Sequence, residues 1–238
     1  MENFDISKYQ FKNPKLPNTK ILFLSDLHSD VYPEIKEIIN KERDIEYIFI
    51  AGDMFDKDEE SGKDSWNELL FELKQISSRI PIYCSLGNHE VDYSSIEYIR
   101  KRLKENEICL LNDEYVQIKD MYVYGFTPPE TKSIKAYPLK NFPDPLDRDC
   151  TIVLCHRPTD YEKYIEGLCP WLTLSGHAHG GQWRFFNRGV YAPDQGIFPK
   201  LTSGLHFKKR LLISRGLGNK CSYPRINNNP EAVIIKIN

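Results

Sequence analysis

The sequence has almost no net charge. Its 32 Lys and Arg stand against 34 Asp and Glu, leaving −2 over 238 residues, which excludes a general nucleic-acid binder held by bulk charge. No apolar run approaches the ~18 residues of a membrane-spanning helix. The polar stretch from Met1 to Asn18 lacks the apolar core of a signal peptide. Six cysteines are present, but no two lie two or three residues apart, so zinc knuckles and redox CxxC motifs are absent. Cys84 and Cys155 fall inside apolar runs, where a reduced thiol behaves as a small hydrophobe. The expectation is six free thiols in a reducing, cytoplasmic setting. Repeats, low-complexity tracts and linker-like segments are also missing, so residues 1–238 are expected to form one domain.

What the chain does contain is a series of short, unalternating apolar runs suited to strands buried on both faces. They are Ile21 to Leu24, Tyr47 to Ile50, Ile80 to Cys84, Tyr122 to Tyr124, Ile152 to Cys155 and Leu172 to Leu174, with Leu211 to Ser214 and Ala232 to Ile237 last. Helical spacing appears between the early ones, at Glu34 to Lys41, Ser65 to Ser77 and Ile96 to Lys104. This reads as an α/β chain. The second half, with its short connections, is expected to supply mostly antiparallel strands, as a second sheet packed on the first.

The residues with chemistry sit where those strands end, which in an α/β sheet is where ligands bind. The first strand runs into Asp26-x-His28; in extended chain both side chains would point to one side. The next ends in Gly52-Asp53-x-x-Asp56, the third in Gly87-Asn88-His89-Glu90, the fourth in His156, and the fifth in Gly176-His177-x-His179. Each alone reads more readily as a cap or turn than as a site. Together they bring five of the six histidines to one sheet edge; the sixth, His206, is given no role. Two carboxylates, an amide and several imidazoles are too many donors for one tetrahedral zinc, but they suit two adjacent divalent ions. Such a pair, bridged by a carboxylate, polarises a phosphoryl group and activates a water between the ions. Cys155, next to His156 in a strand, should face the opposite way.

This ordered series resembles the calcineurin-like metallophosphoesterase superfamily over about residues 20 to 180. The resemblance implies a single-domain, four-layer α/β/β/α sandwich with two mixed β-sheets and a dimetal site at strand C-terminal ends. It implies that Asp26, His28, Asp53 and His179 hold one metal and that Asp53, Asn88, His156 and His177 hold the other. The ions would be Mn, Fe, Zn or Co, with Mn the expected choice in vitro. His89 would face the substrate, oriented by Asp56. The protein-phosphatase branch carries Arg after that second Asp, where this chain has Lys57, which weakens a protein-phosphatase assignment. A longer match resembles a bacterial group of small phosphodiesterases and pyrophosphohydrolases, often membrane-anchored. It comprises Gly176-His177-Ala178-His179-Gly180-Gly181-Gln182, Asp194-Gln195-Gly196, Phe198-Pro199-Lys200, Ser203-Gly204, Ser214 to Gly218, and Pro224-Arg225. Some of that group resemble enzymes cleaving a lipid-linked nucleotide. An anchor of that kind is not expected here, Met1 standing only 25 residues before Asp26.

The expected activity is hydrolysis of a phosphodiester or pyrophosphate bond in a small-molecule, nucleotide or lipid-nucleotide substrate. A phosphomonoesterase, or a binding protein on the same fold without catalysis, is the alternative. From Gly180 to Asn229 nine basic residues face one acid, Asp194, interleaved with Trp183, Phe185, Phe186, Tyr191, Phe198, Leu205 and Phe207. Residues 180–229 therefore read as a surface for a greasy phosphorylated substrate or an anionic membrane. They read as well as core aromatics behind a solvated basic rim.

Overall fold

A computed structural model of the protein describes residues 4–56, 59–91, 96–127, 142, 145–219 and 223–238. Lys57, Lys220 and Cys221 lie outside the described residues. The chain begins with β1 (Asp5–Phe11) and β2 (Thr19–Leu24). It continues through α1 (Pro33–Lys41), β3 (Tyr47–Ala51), α2 (Glu59–Ser77), β4 (Ile82–Ser85), the single turn α3 (Asn88–Val91), α4 (Ile96–Glu105) and β5 (Ile108–Leu111). These strands, with the C-terminal strand, form one sheet in the order β1-β16-β2-β3-β4-β5, where β16 is Glu231–Ile237. β2 to β5 are mutually parallel, with Phe23 beside Phe49 and Ile50 beside Cys84. β16 runs antiparallel to β2 and parallel to β1.

The second sheet contains β6 (Glu114–Ile118), β7 (Met121–Phe126), β8 (Thr151–Cys155) and β9 (Leu172–Ser175). Four two-residue strands follow: β10 (Arg184–Phe185), β11 (Arg188–Gly189), β12 (Tyr191–Ala192) and β13 (Gly196–Ile197). Then come β14 (Gly204–His206) and β15 (Leu211–Ile213), which rejoin the second sheet in the order β14-β15-β9-β8-β7-β6. The expectation of mostly antiparallel strands here is overturned. β7, β8, β9 and β15 are parallel, and only the edge pairs β6·β7 and β14·β15 are antiparallel. Between β8 and β9 the long excursion 156–171 lets the chain return before re-entering the sheet, as a parallel pairing requires.

Strand alternation builds the layers. Leu22, Leu24, Ile48, Ile50, Ile82 and Cys84 face the helices, where they pack on Ile35 and Ile38 of α1, Leu69, Leu70 and Leu73 of α2, and Ile99 and Leu103 of α4. Their neighbours Ile21, Phe23, Tyr47 and Phe49 face the other sheet and meet Val123, Ile152, Leu154, Leu172, Leu174 and Leu212. The far face of the second sheet sets Tyr124, Phe126, Val153, Cys155, Leu211 and Ile213 against Tyr161 and Ile165. Those two belong to a helical stretch made of α5 (Pro158–Asp160), a π turn (Tyr161–Ile165) and a 3-10 turn (Glu166–Leu168). The result is helix, sheet, sheet, helix, with the apolar runs buried on both faces. Among the described residues no helix is long and apolar enough to cross a membrane, and Cys84, Cys109, Cys155 and Cys169 are free thiols.

Candidate metal centre

The loops leaving β2, β3, β4, β8 and β9 converge at one end of the two sheets and are sewn together by backbone hydrogen bonds. Asp26, His28 and Ser29 donate their N–H groups to Gly52, Asp53 and Met54 O at 3.2, 3.0 and 2.8 Å, and Gly176 N–H donates to His156 O at 3.0 Å. Two glycines make the approach possible. A Cβ on Gly52, at φ +72, would lie 2.7 Å from Gly87 Cα and from the His156 ring, and one on Gly87 would lie 2.1 Å from Asp53 Oδ1.

The extended Asp26-x-His28 of the sequence reading is not what forms. β2 ends at Leu24, and Asp26, His28 and Ser29 take φ of 55, 51 and 65. Asp53, His177 and His179 share this left-handed backbone, at 48, 64 and 44. Five non-glycine residues proposed as ligands therefore sit in a region such residues seldom occupy, a local cost met where neighbouring structure holds the chain in place.

Among the described residues, potential donor atoms gather in three groups, each within 4.8 Å: Asp26, His28 and His179; Asp53, His156 and His177; and His28, Asp56 and His89. In the first, His28 Nε2 and His179 Nε2 face each other at 3.4 Å, with Asp26 Oδ1 3.6 Å from the latter. In the second, His156 Nε2 lies 3.0 Å from Asp53 Oδ2, off the line of a hydrogen bond. The groups touch, since His156 Nε2 is also 4.0 Å from Asp26 Oδ1. Ring tautomers are set from outside. His156 Nδ1–H donates to Ala51 O at 2.8 Å, and His179 Nδ1 lies 3.2 Å from both Gly218 O and Arg225 Nη2, which turns both Nε2 atoms inward. Asn88 Oδ1 is buried without a hydrogen-bond partner, as is His156 Nε2. A buried amide oxygen without a donor, two imidazole nitrogens facing one another, and a mixed oxygen and nitrogen set fit divalent cations well.

The charges are tightly coupled. Burial opposes ionisation, yet His156 and its neighbours hold the Asp53 carboxyl well below the usual range, and His179 and His156 lower that of Asp26. Burial also opposes a charged His156, but Asp53 and Asp26 push it up to about 9. His179 moves the other way, to about 3, chiefly because it is buried. His89 stands apart from this core. Its Nδ1–H donates to Asp56 Oδ1 at 3.1 Å, its backbone N–H donates to Asp53 Oδ1 at 3.0 Å, and its Nε2 lies 3.8 Å from Asp53 Oδ2. Asp56 is steadied by its own N–H bond to Ser29 Oγ at 2.9 Å.

Every residue proposed from sequence as a ligand or catalyst is thus at this one edge. Cys155 faces the outer core, away from His156. His206 is half-buried on β14, bonded to Ser203 O. Several residues given no role by sequence also belong here. Glu90 is buried and accepts from Asp53, Phe55 and Gly87 N–H at 3.0, 2.8 and 2.7 Å; burial, then the charge of Asp53, pushes its carboxyl up to about 7. Asp194 Oδ2 accepts from His177 Nε2 at 3.0 Å, with Arg157 Nε 3.4 Å away. Asn228 Nδ2 donates to His179 O at 2.7 Å, and Arg225 Nη2 donates to Gly218 O. The signals were a carboxylate following Asn88-His89 and a lone acid in a basic segment; neither spacing foretells these partners.

The sequence model of one protein family, described as calcineurin-like phosphoesterase, matches residues 19–185. Curated relatives from two strains of Helicobacter pylori, each called an uncharacterized metallophosphoesterase, are 28% identical over 180 residues. The match takes in 68% of this chain and 45% of theirs, so the chain spans about half the length of the curated relatives it matches. Among solved structures, the phosphopantetheinyl hydrolase of Mycobacterium tuberculosis aligns with TM-score 0.42 at 13% identity, over 67% of this chain and 83% of that one. A protein serine/threonine phosphatase of Saccharomyces cerevisiae aligns with TM-score 0.34 at 14% identity, over 86% and 69%.

Proposed function

Because the chain belongs to the calcineurin-like phosphoesterase family, we propose that it hydrolyses a phosphodiester or pyrophosphate bond with the help of two divalent metal ions. Asp26, His28, Asp53 and His179 would hold one ion and Asp53, Asn88, His156 and His177 the other, with Asp53 shared. When bound, the two ions would polarise the phosphoryl oxygens and lower the pKa of a water between them.

The observation that carries the catalytic reading is the pairing of His89 with Asp56. With Nδ1–H given to Asp56, the His89 ring turns Nε2 toward the Asp53 carboxylate and the ligand groups without being a member of either ligand set. A histidine so placed can donate a proton to the departing oxygen, and Asp56 keeps the ring in the orientation that does so. The backbone bond from His89 to Asp53 Oδ1 holds the His89 ring and the carboxylate that would be shared by the two ions in fixed register.

The test is hydrolysis by Mn²⁺-loaded protein, with bis-p-nitrophenyl phosphate expected to turn over faster than the monoester. Asp53→Asn and His89→Ala should each remove activity, His89→Ala by ~10²–10⁴ in kcat, while circular dichroism shows the fold intact. Undiminished turnover in both variants would end this reading; a preference for the monoester would move the substrate class to phosphomonoesters.

A further inference from the structure

Building on the two-ion reading above, we infer that Arg157 is a positioning residue for the second ion, which braces His177 against His156 through Asp194. Arg157 follows the ligand His156 directly, where β8 gives way to α5. Its side chain is only 20% exposed, yet Nε is buried without a hydrogen-bond partner. A guanidinium carries five N–H donors, and one enclosed to this degree needs an anion beside it. Among the described residues its one ion pair is with Asp194, whose Oδ2 lies 3.4 Å from Nε. The same Oδ2 accepts from His177 Nε2 at 3.0 Å. A single carboxylate oxygen thus joins the guanidinium that follows one ligand to the ring of the other. The two rings meet edge-on, their centroids 5.0 Å apart.

Asp194 alone would be a loose support. Its side chain is 43% exposed, and it sits at φ 60 between the two-residue strands β12 and β13. Two neighbours make it firm. Gln195 pins the backbone: its Nε2 donates to Leu201 O at 2.8 Å and its Oε1 accepts from Leu201 N–H at 2.9 Å. Arg157 holds the carboxylate, so the acceptor reaches the His177 ring from a fixed direction, and a ring so held keeps its other nitrogen aimed at the ion. His156 and His179 need no such help. Each has a main-chain carbonyl, Ala51 O or Gly218 O, beside its Nδ1.

A rival account would have Arg157 serve Asp160. Burial pushes the carboxyl of this α5 residue up against the charge of Arg157, and its Oδ2 has no hydrogen-bond partner. Were that the whole purpose of Arg157, its loss would cost stability and leave metal binding untouched.

The experiment is isothermal titration of the metal-free full chain with Mn²⁺, read as affinity and so independent of any hydrolysis, with calorimetric melting alongside. Arg157→Ala should weaken one of the two affinities by about 3–10-fold and leave the other unchanged. Arg157→Lys, which restores a cation without the planar fork, should recover part of the loss. The double variant Arg157→Ala, Asp194→Asn should bind as Asp194→Asn alone does, because the guanidinium acts through that carboxylate. Unchanged affinities in Arg157→Ala, whatever its melting temperature, would overturn the proposal in favour of the Asp160 account. Losses that multiply in the double variant, or that fall on both ions alike, would overturn it too. A wild-type chain that binds no Mn²⁺ would overturn the two-ion reading itself and the brace with it.

Discussion

Removing the Glu90 side chain should damage the fold more than a change at any other carboxylate around the centre. Its two oxygens accept three backbone N–H groups, Asp53 and Gly87 on Oε2 and Phe55 on Oε1, and the residue is buried. In Glu90→Ala all three donors lose their acceptor. At ~1–3 kcal/mol for each buried unsatisfied donor, and allowing for local relaxation, the loss is about 3–5 kcal/mol. That is a large part of a stability of roughly 5–15 kcal/mol. A chain of this size shifts by about 2–4 °C per kcal/mol, so melting should fall by roughly 6–20 °C. Glu90→Gln keeps one oxygen, and so at most two of the bonds, and sets an NH2 group against the third N–H. It also removes the charge that stands against Asp53, which offsets part of the cost, so about 1 kcal/mol remains. Calorimetry of the metal-free variants should therefore rank wild type above Gln above Ala. The loops that move are those bearing Asp53 and Asn88, so Mn²⁺ stoichiometry by isothermal titration should fall in the same order. An Ala variant that melts within about 2 °C of wild type would show that the three N–H groups find other partners, and the reasoning would fail.

Two further predictions follow from side chains that the sequence reading left without a role or treated as core. Asp194→Asn replaces the carboxylate that His177 Nε2–H donates to, and should weaken one of the two Mn²⁺ affinities by ~10–100-fold while the melting curve of the metal-free protein barely moves; equal affinity at both sites would mean that Asp194 does not position the ring. Alkylation followed by mass spectrometry should modify the exposed Cys109 and Cys169 in the native protein and reach Cys84 and Cys155 only on unfolding, because burial both shields these two and pushes their thiols well up. Rapid native labelling of Cys155 would contradict its place in the outer core.

The layers were legible because their cause is local. Runs such as Ile21 to Leu24 and Ile152 to Cys155 are apolar at every position, and only a strand covered on both faces uses such a run. Strand direction is not local, and the parallel second sheet escaped for that reason. The short connections expected there are in fact excursions such as 156–171, whose π and 3-10 turns carry no clean 3.6-residue period. β1 escaped for the opposite cause: at the sheet edge it is half-exposed along its length, so Asp5, Ser7, Lys8 and Gln10 read as a polar tail.

The candidate site was legible as a set of residue types, because an Asp, Asn or His at each of five strand ends survives any detail of the loops. Its geometry was not. Side-chain direction was inferred for Asp26 and His28 from an extended chain, whereas the backbone there is left-handed and held by Gly52, Asp53 and Met54 carbonyls from the next loop. Each strand-end loop takes its shape from the others, with Glu90 closing the Asp53 loop and Asp194 reaching His177 across seventeen residues. A site built this way makes its ligands depend jointly on one another. Loss of a single supporting carboxylate should therefore disturb residues on more than one strand, and the Glu90 and Asp194 variants measure that coupling from opposite sides of the centre.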